Sequence, residues 1–147
     1  KGLHPEQYSS QGWNGVKSVQ HWEPPDAYFP GGLQALSKAI ELPLLLYGPY
    51  FSPDNDWIND YTFIPKGNGA LVPSPEDSYD FYSALMDFGI NASTTNGDTN
   101  TGMIGYEVDY MVCLSQTPIF RSKIGAQQQW LDGMHKAAQE RGIIIQC

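Results

Sequence analysis

Residues 104–111 read Ile104-Gly105-Tyr106-Glu107-Val108-Asp109-Tyr110-Met111. Side-chain character alternates with a period of two, the pattern of a β-strand whose successive residues point to opposite faces. A strand here puts Gly105, Glu107 and Asp109 on one face and Tyr106, Val108 and Tyr110 on the other. The ring-bearing face suits packing against helices. Two acids on a buried face are expensive unless they are paired or functional. A strand edge with solvated acids is the plain alternative.

Outward from this stretch, residues 126–140 place Trp130, Leu131, Met134 and Ala138 on an amphipathic helix, and residues 142–146 read as a fully buried strand. Towards the N-terminus, residues 43–51 open with a nearly unbroken apolar run, as a strand covered on both sides requires, and Pro49 ends its ladder. Residues 33–40 carry Leu33, Leu36, Ala39 and Ile40 at helical spacing, and residues 15–22 alternate as a first strand. Residues 52–75 are polar, aromatic and rich in turn residues, and so predict a long functional loop. Ser74 then caps a helix whose first turn holds Pro75 and Asp77; it carries Tyr79, Tyr82, Leu85, Met86 and Phe88, and Gly89 ends it.

Strands alternating with helices imply right-handed crossovers and a parallel sheet. A doubly wound dinucleotide site needs a Gly-rich turn directly after a strand, and neither Gly105 nor Gly31-Gly32 sits in such a pattern. The eight-stranded barrel usually takes ~250 residues. The expectation is therefore an α/β fold: a partial (β/α)8 TIM barrel of about four parallel strands alternating with three helices. All of 1–147 is read as one incomplete domain, because its final strand runs to the last residue.

Composition narrows the partners. Of 147 residues, 41% are hydrophobic and 13% aromatic, enough for a packed core. Sixteen Asp+Glu against eight Lys+Arg give a net charge of −8, with no basic run to hold phosphates, so no nucleic acid is expected. The longest apolar stretch, residues 40–47, is interrupted by Glu41 and Pro43 and falls far short of the roughly 20 residues that span a bilayer, so no membrane insertion is expected. Cys113 and Cys147 are too few for a disulfide scaffold or a thiolate zinc site. Asp54, Asp56 and Asp60 have the spacing of a calcium loop, but Ile58 and Asn59 stand where that loop needs an oxygen ligand and a glycine. His4, His21 and His135 have no ligand spacing, and no metal or cofactor is expected. The sequon Asn91-Ala92-Ser93 would permit glycosylation in a secreted chain.

In parallel α/β folds the site gathers at the carboxyl ends of the strands. The first strand delivers His21, Trp22 and Glu23 there; the second delivers Tyr47 and Tyr50, with Asp54 and Trp57 in the loop beyond; the third delivers Glu107 and Asp109. Carboxylates among aromatic rings suit a saccharide, whose C–H faces stack on rings while its hydroxyls hydrogen-bond to acids. Trp22, Tyr50 and Trp57 are the candidate platforms, and Glu23, Asp54 and Glu107 the candidate hydroxyl partners.

The series Trp22…Tyr28-Phe29-Pro30-Gly31-Gly32-Leu33, Leu42-Pro43-Leu44…Tyr47, Gly105-Tyr106-Glu107-Val108-Asp109-Tyr110 and Ile143-Ile144-Ile145-Gln146-Cys147 resembles the catalytic barrel of the retaining α-galactosidase and raffinose-synthase clan of glycoside hydrolases. The resemblance implies that Asp109 is the nucleophile. It puts Glu107 where typical members carry a Lys that hydrogen-bonds the sugar, which reverses a charge in the pocket. Retention needs a second carboxyl group about 5–5.5 Å away. The resemblance assigns that acid/base to a strand beyond this chain, so the chain alone is expected not to turn over. The remainder of the barrel, or another chain, is expected to pack on the exposed strand edges. One rival reading is a noncatalytic carbohydrate-binding or structural protein on a degenerate barrel, which Glu107 favours. Another is a complete small α/β binding domain.

Overall fold

A computed structural model of the chain describes residues 18–22, 26–27, 29–48, 50–67, 69–93, 102–108, 111–115 and 117–147. Its elements run α1 (Gly32–Ile40), β1 (Pro43–Tyr47), β2 (Phe63–Gly67), β3 (Ala70–Pro73), α2 (Ser78–Ser93), β4 (Gly102–Glu107), α3 (Met111–Leu114), α4 (Pro118–Ser122), α5 (Ala126–Arg141) and β5 (Ile144–Gln146). Strands β1, β4 and β5 form one parallel sheet in that order, and β2 pairs antiparallel with β3. The chain is thus α/β with a sequentially ordered parallel sheet. Among the described residues that sheet is open and no barrel closes.

Several predicted elements change. The strand expected over 15–22 is described only from residue 18, and there it is a single parallel bridge, Val19 to Phe51. The stretch expected as loop over 52–75 contains the β2–β3 hairpin, and Leu71 also bridges to Phe51. Strand β4 stops at Glu107 instead of reaching Met111, which opens α3. Strand β5 is not buried on both faces, for Ile144 is 64% exposed.

Helices α2 and α5 pack on each other and on one face of the sheet. Ser78 Oγ donates to the Trp130 carbonyl (2.6 Å), and Arg141 grips the Asp87 carboxylate with Nε (2.7 Å) and Nη2 (2.8 Å). The Arg141 guanidinium, by its hydrogen bond, holds the Asp87 carboxyl below the usual carboxylate range. Helix α1 is tied in by a side chain: the Gly102 amide at the start of β4 donates to the buried Ser37 Oγ (3.1 Å). Of the predicted α1 stripe Leu33 is buried, whereas Ile40 is exposed.

The helix-side core is dominated by aromatic rings. Phe81 on α2 meets Phe51, Tyr61, Phe63 and Trp57 edge to face, with centroids 4.8–5.9 Å apart. Rings prefer this T-shaped arrangement because the positive edge of one faces the negative face of the other. The hairpin and the 52–62 segment are therefore folded round one side chain of α2.

Among the described residues nothing covers the opposite sheet face. Leu45, Gly105 and Ile144 lie side by side in register. A Cβ on Gly105 would fall 3.1 Å from Leu45 Cδ1, so the missing side chain admits the leucine. Leu45 and Ile144 remain largely exposed.

Candidate functional site

Two residues beyond that row, Tyr47, Glu107 and Gln146 stand opposite one another at the carboxyl ends of the three strands. Backbone bonds hold this end together: Gly48 N donates to the Glu107 carbonyl (3.2 Å) and Val108 N to the Gln146 carbonyl (2.8 Å). Alternation puts Glu107 on the uncovered face and leaves Tyr106 and Val108, both wholly buried, on the helix side. Glu107 is half-buried. Asp109 and Glu23, predicted as nucleophile and hydroxyl partner, lie outside the described residues.

Trp22 is buried against the Tyr106 ring, with centroids 5.8 Å apart. Its Nε1 is buried without a hydrogen-bond partner among the described residues. The Tyr106 hydroxyl donates to the Gly48 carbonyl, and burial pushes its titration far above the ordinary tyrosine range, so it stays a neutral donor. Tyr50 is also buried, and the Lys66 ammonium lies 3.8 Å from its ring centroid, a cation–π contact. Trp57 is half-buried and turns its ring edge to face Phe51 and Phe81. The three predicted platforms thus bind the carboxyl-end segments into the core, and Trp57 keeps the most exposed ring.

The acids of the 52–56 turn are held by Gln20 and His21, distant in sequence, and by Ser52 within the turn. Tyr50 O accepts from Val19 N (2.7 Å) and Ser52 N donates to Val19 O (2.8 Å), so residues 19 and 51 leave their parallel bridge towards the same end. Past it, Gln20 Nε2 donates to Asp54 Oδ2 (2.5 Å), Ser52 Oγ donates to Asp54 Oδ1, and His21 Nδ1 meets Asp56 Oδ1 at 2.6 Å. Asp56 N donates to the Gln20 carbonyl (3.1 Å). Buried Asn55 braces the turn, donating from Nδ2 to the Ser52 carbonyl and accepting at Oδ1 from Trp57 N. Asp54 and Asp56 therefore answer separate partners instead of converging on an ion. No group of three His, Cys, Asp or Glu among the described residues is placed to hold a metal.

The sequence singles out His21 and Asp54 but not the partners of either. It places Asp56 in the loop after the second strand, but the pairing of Asp56 with His21, and the role of Gln20, emerge only when segments some 35 residues apart are brought together. A separate depression of about 430 Å³ lies at the α4–α5 corner, lined by Phe120, Arg121, Lys123 and Gln128 among others, and shares no residue with the predicted site. Among the described residues no helix is long and apolar enough to cross a membrane. Comparison with protein-family models, with curated proteins and with solved structures returned no match to this chain.

Proposed function

We propose that the chain is part of a β/α barrel that acts on a saccharide at the carboxyl ends of its strands, by a retaining glycosidase mechanism in which Asp109 is the nucleophile. The observation that carries this reading is the Tyr47–Glu107–Gln146 row, which closes a sequentially ordered parallel sheet on its uncovered face. Sequential order is what a barrel needs and what a doubly wound sheet abandons at its switch point. Asp109 follows Glu107 by two residues, the spacing that keeps a side chain on one face of an extended chain.

In this mechanism Asp109 attacks the anomeric carbon and a second carboxyl group, about 5–5.5 Å away, protonates the leaving oxygen. That group comes from a further strand of the barrel. Glu107 precedes Asp109 by only two residues in the sequence and is therefore assigned to a hydroxyl and not to the opposite side of the scissile bond. Asp54 and the edge of Trp57 supply further contacts from the second loop, and Glu23 from the first.

The test is hydrolysis of aryl α- and β-glycosides by the full polypeptide that carries this chain. Asp109→Ala should lower kcat by at least about 10⁴-fold, the loss expected when a covalent route is removed. An unchanged rate removes the catalytic assignment. A noncatalytic saccharide-binding protein is the second reading, favoured by the acid at position 107. It predicts glycoside binding with no turnover in wild type and variant alike.

A further inference from the structure

The His21–Asp56 pair has no part in the mechanism above, yet it joins an imidazole to a carboxylate in the carboxyl-end turn. We propose that Asp56 locks His21 into the tautomer with the proton on Nδ1, so that Nε2 presents a fixed lone pair to a ligand hydroxyl. An ionised carboxylate has only acceptors, so a 2.6 Å approach to Nδ1 is a hydrogen bond only when Nδ1 carries the proton. Neutral imidazole has one N–H, and Nε2 is then the acceptor. A carboxylate that orients a histidine through one ring nitrogen in order to set the chemistry of the other is a recurrent device.

Backbone placement makes the lock firm on both sides. Val19 is held to Tyr50 and Ser52 by two bonds, and Asp56 N is bonded to the Gln20 carbonyl. The Gln20–Asp54 contact and that backbone bond already tie the two segments together, so a further tie is not required for structure. The histidine side chain is 18% exposed and the Asp56 side chain 50%, so the pair stays reachable from solvent. Asp54 is the other acid of the same turn, and its oxygens are occupied by Gln20 and Ser52. Asp56 is a positioning residue and His21 the contact residue. The identity of the ligand as a saccharide rests on the function proposed above; the tautomer does not.

The experiment is long-range ¹H–¹⁵N correlation of the ¹⁵N-labelled chain at about pH 8, where imidazole is neutral. His21 should show a protonated Nδ1 and a bare Nε2, whereas His135, exposed on α5, should show the Nε2–H form usual in water. Asp56→Ala should return His21 to Nε2–H. A wild-type His21 protonated on Nε2 overturns the proposal without need of any variant. Methyl α-galactoside and methyl β-glucoside are then added. Binding should shift the His21 Nε2 resonance, and His21→Ala should weaken it about tenfold. Binding that leaves Nε2 unmoved overturns the ligand role. A chain with the expected tautomer that binds neither glycoside supports the lock and removes the saccharide reading.

Discussion

Gly89 and Gly133 both sit inside helices, and each is small for the same reason: another element passes where a Cβ would stand. At Gly133 the obstruction is rigid, with Ser78 Oγ and the Tyr79 amide nitrogen both 2.8 Å from the added carbon. At Gly89 it is Met103 Sδ at 2.4 Å, in a side chain that can swing away, and Leu46 Cδ1 at 3.1 Å. Gly133→Ala should therefore cost about 2 kcal/mol, since overpacking outweighs the gain in helix propensity of roughly 1 kcal/mol. Gly89→Ala should fall within about 1 kcal/mol of wild type, because that gain offsets the displacement of Met103. Urea unfolding of the two variants tests the contrast, and equal losses would refute it. Read as sequence, Gly89 is a helix stop; only the neighbouring strand reveals it as a packing residue. His21 is a similar case, because its meaning depends on a carboxylate 35 positions away.

At the scale of elements, helix spacing predicts α5 almost to the residue, with Trp130, Met134 and Ala138 on its buried face. The hairpin was equally written in the chain, since Asn68-Gly69 between Phe63-Ile64 and Leu71-Val72 is a strong turn signal. Pro65 and Pro73 mask it, because proline reads as a strand breaker, and here Pro65 stands on the outer strand β2 and Pro73 at the last position of β3, where each is tolerated. The pairing of α2 with α5 is not legible at all, because the contacts that make it, Ser78 with the Trp130 carbonyl, the Tyr82 ring with the Trp130 ring and Arg141 with Asp87, join residues far apart in sequence. Asp87 is 53% exposed, so solvent screening holds the contribution to about 1 kcal/mol or less. Its folded-state titration lies below that of the unfolded chain, so this stability is present above the ordinary carboxylate range and is lost as pH falls through the depressed value. Wild type and Asp87→Asn should differ modestly in melting temperature at pH 7 and converge towards pH 2. A gap that persists in acid would show that the asparagine acts otherwise.

For the molecule as a whole, the alternation of strands and helices was legible, and with it the parallel sheet. The 43–51 run suggested a strand covered on both sides, yet among the described residues only the helix face is covered. Leu44 is 8% exposed and Leu45, its neighbour, 44%. Leu44→Ala should cost about 2–4 kcal/mol, the usual range for a buried leucine. Ile144→Thr on the open face should be within about 0.5 kcal/mol of wild type in this chain. In the full polypeptide of a closed barrel the same isoleucine would face the interior, and its replacement should cost at least about 1 kcal/mol more. Equal effects in the two settings would argue against closure.

The rings that hold this molecule together also form a line through it. Trp22, Tyr106, Tyr82 and Trp130 follow one another with centroids 5.7–5.8 Å apart, from the first segment to α5. At that spacing light absorbed by either tyrosine passes to an indole before it can be emitted. In the native protein these two rings should emit almost wholly through tryptophan, and loss of that transfer on denaturation would mark the parting of the line.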